Sequence, residues 1–399
     1  MEVFAGQKSS LLRELNMEFE LTEELQMVRN TAKEFAEREI APTLADDEKN
    51  HRFRPEIVRK MGELGFFGAV IPEEYGGTNL GFLASVIMTE EVARVSASWG
   101  LPFNMQTIGP GTVLLQFGTE EQKRKYIPGL VTGEFLGSFA ITEPNSGSDV
   151  ASMRTTATET TDGFVLNGQK TWISNAHVAD VGIVYAYTDK EAKHKGISAF
   201  VVELKNVKGV RTVPIETKLG LHCAPTGEIY FEDAKIPKDA LIGKKGDGFK
   251  ICMTMLDSTR ISCAARAVGV GRACIEESVK YANERTQFGK PISEFQMIED
   301  QIAEMSVQNE AARMLVYKAA WLRDKGARCT KEVSTAKYFA AESAVFCANT
   351  AMKIFGSYGY STEYPAERLL RDSKSYQVVE GTSNIQKWIV SSFVLGKRT

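Results

Sequence analysis

The spacing of apolar positions changes character twice along the chain. Leu25, Val28, Ala32, Phe35 and Ala36 fall on one face of a helix that Thr22 can cap and that Pro42 should end. Thr119 with Gln122 three residues on forms a capping-box pattern for another helix. Ile71-Pro72-Glu73-Glu74-Tyr75-Gly76-Gly77 reads as a loop between them. From residue 138 to 244 β-branched and aromatic runs take over, at 181–187, 197–202 and 228–231. Asp162-Gly163 and Asn167-Gly168 read as hairpin turns between such runs, which predicts a small antiparallel β domain, a barrel or a sandwich. Beyond Gly248 helical spacing returns and persists through Ile298, Ile302, Met305, Ala312, Leu315, Ala319 and Leu322, as in a helical bundle. The reading is therefore α+β and multidomain: an all-α domain (1–137), a β domain (138–244) and a C-terminal α-helical domain (245–399). Residues 1–17 receive no role.

Composition adds exclusions. A net charge of −3 offers nothing that would attract nucleic acid or an anionic membrane. No run of about 18 apolar residues is present to cross a bilayer. Charges at Glu2, Lys8, Arg13 and Glu14 argue against a secretory signal, so a cytoplasmic location is expected. The six cysteines form no CxxC and the four histidines are scattered, so no metal site is expected. Cys252, Cys263 and Cys274 read as small packing residues in a reducing compartment.

No GxGxxG follows a predicted strand, and no P-loop or GxSxG elbow appears. Four polar, glycine-rich clusters stand out instead. Phe139-Ala140-Ile141-Thr142-Glu143-Pro144-Asn145-Ser146-Gly147-Ser148-Asp149 lies where the helical part meets the β part. Lys170-Thr171-Trp172-Ile173-Ser174-Asn175 sets an indole beside a hydroxyl. Arg285-Thr286-Gln287-Phe288-Gly289-Lys290-Pro291 is a basic loop between helices, and Val379-Glu380-Gly381-Thr382-Ser383-Asn384 places an acid in a glycine turn. Each alone is more often just a turn.

In this order, across these three domain types, the clusters resemble the acyl-CoA dehydrogenase family over residues 20–395. The resemblance implies an antiparallel β-barrel in the middle, a C-terminal four-helix bundle, and bound FAD. Phe139, Ile141, Thr142, Trp172 and Ser174 would cradle the flavin. Arg285 and Phe288 would reach the ADP half of a flavin in a neighbouring subunit, within a homotetramer. Gln296, Lys353, Gly356, Thr382 and Asn384 would supply further FAD contacts. Ser148, Asp257 and Arg260 would meet coenzyme A. Glu380 would take the α-proton of a thioester while hydride leaves the β-carbon for the flavin, and Gly381 shapes its turn. Electrons would leave through an electron-transfer flavoprotein. Thr259 stands where some relatives carry the base, and cannot serve as one.

The chain departs from the family pattern in several places, two of which, Val379 and the 93–105 stretch, bear on the substrate. Lys353 replaces a glutamine, and Ser357 and Tyr358 alter a usual Gly-Gly-Asn-Gly turn. Arg266 stands where relatives often have Gly or Gln, and reads as a surface charge or a contact with a neighbouring subunit. Val379 replaces a tyrosine and makes room, and the stretch 93–105, Trp99 included, should line the acyl pocket. Overall the chain's texture is nearest to non-decarboxylating glutaryl-CoA dehydrogenases. Yet Ser98 or Gly100 occupies the position of the arginine that binds the distal carboxylate there, and Arg94 lies at another helical phase. Glu91 would then be either a helix-paired acid or a second catalytic acid acting on a ring. These features favour a compact, cyclic or aryl-substituted acyl group such as a cyclohexane- or cyclohexenecarboxyl thioester. Alternatives are a glutaryl, benzylsuccinyl or short-chain thioester, or a non-catalytic flavin or acyl-CoA binding protein.

Overall fold

The computed structural model describes residues 20–397. The N-terminal part holds α1 (Glu23–Phe35), α2 (Leu44–Lys49), α3 (Pro55–Glu63), α4 (Gly81–Val95), α5 (Thr112–Phe117) and α6 (Glu120–Thr132). Thr22 caps α1 by accepting from the Leu25 N–H at 3.3 Å, and the reciprocal Thr119–Gln122 box opens α6. Pro42 does not end the first helical run. The chain passes through π-helical turns at Ala36–Ile40 and a 3₁₀ turn at Ala41–Thr43 before α2. Proline is tolerated there because it sits in the first turn of a tightened segment, where no amide donor is required. A second π-helical segment, Asn104–Gly111, precedes α5 and is wholly buried.

The middle part is one eight-stranded sheet. Its strands are β1 (Gly137–Ala140), β2 (Thr156–Glu159), β3 (Gly163–Ser174), β4 (Val181–Tyr187), β5 (Ile197–Glu203), β6 (Val210–Pro214), β7 (Thr226–Pro237) and β8 (Leu241–Ile242). The order is β6-β7-β3-β2-β4-β5-β8, with β1 also on β4. Two expectations need correction. The sheet is mixed, because β1 and β2 both run parallel to β4; among the described residues its ends β6 and β8 are not paired, which leaves the barrel unconfirmed. Asn167-Gly168 is not a hairpin either. It lies inside β3 at a register shift, where the Asn167 side chain accepts from the Asp233 N–H at 2.9 Å. An interior glycine in a strand marks a bulge as readily as a turn.

The C-terminal part has three long helices, α7 (Gly248–Glu284), α8 (Gln296–Asp324) and α9 (Thr330–Phe355), with two shorter ones, α10 (Pro365–Ser375) and α11 (Ser383–Val394). It is thus less regular than four matched rods. Between α7 and α8 a hairpin pairs β9 (Thr286–Gln287) with β10 (Lys290–Pro291). Small residues let the long helices approach: Ala264, Ala267 and Ala273 of α7 and Ala336, Ala340, Ala344, Ala348 and Ala351 of α9 are all buried in one cluster. All six cysteines are free and buried, consistent with their reading as packing residues. Among the described residues no helix is long and apolar enough to cross a membrane.

One buried ion pair joins the first two polar clusters. Lys170 of β3 donates to Glu143 at 2.8 Å and to the Ile141 carbonyl at 3.1 Å, and Glu143 also accepts from the Thr155 N–H at 3.0 Å. Burial acts to raise the Glu143 pKa, but Lys170 and these hydrogen bonds outweigh it and hold the carboxyl below its ordinary range. Lys170→Met should strand a buried carboxylate and lower stability by about 3–5 kcal/mol in urea unfolding. Lys170→Met with Glu143→Leu should recover most of that; a loss under about 1 kcal/mol in the single variant would show the pair to be dispensable.

Candidate active site

The Glu380 turn is built by the helices around it. Residues 376–382 link α10 to α11, and Thr382 caps α11 by accepting from the Ile385 N–H at 3.3 Å. Glu380 and Gly381 both take left-handed backbone conformations, with φ 57° and 86°. For glutamate that conformation is uncommon and has to be held from outside. Three side chains hold it. Arg260 Nε donates to the Glu380 carbonyl at 3.1 Å. Gln386 donates to the Glu380 and Gly381 carbonyls at 3.2 and 3.0 Å. Lys337, 1% exposed, donates to the Tyr376 and Gly381 carbonyls, each at 2.7 Å. At Gly381 a Cβ would lie 2.7 Å from Gln386 Nε2, so glycine is required by both φ and space.

The Glu380 carboxylate is oriented by two neutral donors. Asn104 Nδ2 donates to Oε1 at 3.0 Å and Thr259 Oγ1 to Oε2 at 2.7 Å. The Arg260 guanidinium meets the Glu380 backbone carbonyl, not its carboxylate, and turns Nη1 to Asp257 at 3.1 Å; Asp257 also accepts from Thr330 at 2.7 Å. The acid is therefore positioned without a cation on its carboxylate, as a proton acceptor should be. Asn104, Lys337 and Gln386 were missed as individual site residues in the sequence. Lys337 did leave a signal: it interrupts the apolar face formed by Val333, Ala336, Ala340 and Ala344 on α9.

The first two clusters lie side by side. Thr171 N–H donates to the Thr142 carbonyl at 2.9 Å, and Ser138 Oγ donates to the Ser174 carbonyl at 2.7 Å. Phe139, Thr142 and Ser174 are half-buried there, Ile141 is buried, and Ser148 is exposed on the loop after β1. Trp172 has φ 58° and is 59% exposed. Phe288 and Gly289, the two residues at the tip of the β9–β10 hairpin, have φ 50° and 82°, and Phe288 is 95% exposed. Two bulky residues held in left-handed backbone with their rings in solvent fit a role toward a planar ligand or another chain. Arg285 is exposed at the base of this hairpin, with its guanidinium 5.6 Å from the centre of the Tyr358 ring. Gln296 opens α8, Lys353 and Gly356 lie at the end of α9, and Asn384 lies in the first turn of α11; all four are exposed.

Three expectations are corrected. Glu91 is buried in an ion cluster, with Arg272 at 2.6 Å, Arg94 at 3.4 Å and Arg29 at 3.8 Å. Arg272 lies about 18 Å of helical rise beyond Arg260 on α7, and a carboxylate neutralised by guanidinium groups is not a poised second acid. Trp99 packs into the N-terminal core, stacked on Phe53 with ring centroids 5.4 Å apart, rather than facing a ligand. Arg266 is neither a surface charge nor a subunit contact: it is 1% exposed. Val379, beside the base, is partly exposed.

Three family models match the chain in order: acyl-CoA dehydrogenase, N-terminal domain, at residues 22–134; middle domain, at 138–234; and C-terminal domain, at 246–395. A glutaryl-CoA dehydrogenase of Desulfococcus multivorans is 50% identical over 387 residues, 96% of this chain and 99% of that one. An acyl-CoA dehydrogenase of Bacillus subtilis is 44% identical over 376 residues, 94% and 99% of the two chains. A solved glutaryl-coenzyme A dehydrogenase in complex with glutaryl-CoA superposes with a TM-score of 0.94 at 49% identity, covering 96% of this chain and 98% of that one. With all three domain models matched in sequence and the fold shared along almost its whole length, the chain belongs to the acyl-CoA dehydrogenase family.

Proposed function

We propose that Glu380 is the base that removes the α-proton of an acyl-CoA thioester. The observation that carries this is its carboxylate, held by Asn104 and Thr259 on a turn clamped by Arg260, Gln386 and Lys337. The chain is an acyl-CoA dehydrogenase, an oxidoreductase that uses FAD. When bound, FAD would supply the acceptor for the β-hydrogen as hydride. Phe139, Ile141, Thr142, Trp172 and Ser174 would hold its ring system. Gln296, Lys353, Gly356, Thr382 and Asn384 would hold its phosphate and adenosine side, where the α11 N-terminus favours negative charge. Ser148, Asp257 and Arg260 would meet coenzyme A.

The protein's own part in the reaction is positional. Asn104 and Thr259 fix both carboxylate oxygens, so little reorientation is needed when the α-carbon arrives. The clamped turn stops Glu380 relaxing from its strained backbone. The exposed hairpin carrying Arg285 and Phe288 supports a homotetramer in which it reaches a neighbour's cofactor. An electron-transfer flavoprotein is proposed as the electron acceptor, on the family resemblance. Of the three features that favoured a cyclic or aryl-substituted acyl group, Glu91 and Trp99 are engaged elsewhere. Val379 remains, and it supports a compact acyl group beside the base.

Anaerobic bleaching of the flavin absorbance by a panel of acyl-CoAs tests the reading. In Glu380→Gln the flavin should stay bound while kcat/KM falls by about 10,000-fold. Bleaching that survives in that variant would move the base elsewhere, and no bleaching of the wild type by any thioester would favour a binding protein. Asn104→Ala should retain fold and flavin but lose about 10- to 100-fold in kcat, the effect of one hydrogen bond to a charged group. Phe288→Ala should release FAD more readily on gel filtration and shift the oligomer toward smaller species; unchanged flavin content and size would exclude the shared-site role.

A further inference from the structure

Among the described residues, Arg266 is a buried guanidinium with two unpartnered nitrogens. Its side chain is 1% exposed, yet Nε and Nη2 are both buried with no hydrogen-bond partner. These two nitrogens form one edge of the guanidinium, and that edge offers the parallel pair of N–H donors that grips a carboxylate bidentately. Among the described residues no carboxylate forms an ion pair with it, and the buried Glu48 and Asp372 are directed to other groups. Glu48 lies 3.7 Å from His222, and Asp372 lies 3.9 Å from Arg368. The guanidinium carbon sits 5.8 Å from the centre of the Tyr376 ring, whose own hydroxyl is buried without a partner.

Its position relates it to Glu380. Thr259 and Arg266 are seven positions apart on α7, so they share one helix face, separated by about 10 Å of rise. Thr259 holds the Glu380 carboxylate at one end of that interval. The 96–104 segment runs along the same interval: Asn104 reaches Glu380, and Gly100 lies under the Arg266 stem, where a Cβ would stand 2.8 Å from Cγ. Tyr376 and Glu380 belong to one turn and mark the same two ends. A short acyl chain that entered at Glu380 and followed this interval would approach the unpartnered guanidinium edge. An alkyl or cyclohexyl terminus would leave both donors desolvated and unmatched, whereas a carboxylate would satisfy both.

Resting on the assignment of Glu380 as base, we infer that Arg266 determines specificity by binding a free carboxylate at the far end of the acyl group. The substrate class is then a dicarboxylic acyl-CoA. The arginine missing at Ser98 or Gly100 is replaced by one from α7, and Gly100 is small enough to admit its stem.

The test compares glutaryl- and adipyl-CoA with pentanoyl- and hexanoyl-CoA, and with the ω-methyl esters of the two dicarboxylic thioesters. It uses FAD-loaded wild type, Arg266→Met and Arg266→Lys. Wild type should prefer a dicarboxylic thioester over its methyl ester and its linear counterpart by about 100-fold or more in kcat/KM. In Arg266→Met that preference ratio should collapse by about 50-fold or more, with Arg266→Lys recovering part of it. A wild type that prefers linear thioesters, or a ratio unchanged in Arg266→Met, would overturn the inference while leaving Glu380 in place. Absence of bleaching by every thioester would bring down both readings together. The wild-type preference decides the matter even where a variant fails to fold.

Discussion

The carbonyl oxygens of the turn between α10 and α11 are the point on which the site depends. Lys337 donates to those of Tyr376 and Gly381, Arg260 to that of Glu380, and Gln386 to those of Glu380 and Gly381. A buried ammonium is costly, and burial pulls the Lys337 pKa below its ordinary value. The carbonyl cage makes that burial tolerable and converts it into rigidity. Without it, a glutamate at φ 57° would relax toward the common backbone regions and carry its carboxylate away from Asn104 and Thr259.

The same helices serve packing and chemistry. Along α7, Thr259, Arg260 and Arg266 turn polar groups toward the 376–380 turn, and Asp257 meets Arg260 and Thr330. Farther on, Arg272 answers the acids of α4. Alanines, valines and cysteines fill the intervening faces. Close helix contact excludes water from this region, so each buried polar group there has to find its partners within the protein. The unpaired edge of Arg266 matters because almost every other buried guanidinium or ammonium nearby has an acceptor.

The β part contributes through rigidity as well. Lys170 and Glu143 tie the loop after β1 to β3, and the Thr171–Thr142 backbone bond brings Trp172 and Ser174 next to Phe139 and Ile141. The left-handed residues at Trp172, Phe288 and Glu380 occur in three different clusters. All three lie at positions to which the family resemblance assigns a role.

By itself the sequence determined the order of helical, β and helical parts, the caps at Thr22 and Thr119, and the glutamate in its glycine turn. Those features are local, resting on periodicity, capping chemistry and the φ that glycine permits. It also placed every polar cluster, because glycine, proline and hydroxyl residues mark turns wherever they fall. Tertiary structure alone decided which groups meet. Asn104 and Thr259 are separated from Glu380 by 276 and 121 positions, and nothing in their spacing announces the contact. Glu91 reads as either a paired or a catalytic acid until α1 and α7 bring arginines to it, and Trp99 reads as a pocket wall until Phe53 stacks on it. Arg266 reads as a surface charge because arginine usually is one. Only the packing of α7 against Gly100 and Tyr376 buries it, since burial is set by neighbours distant in sequence.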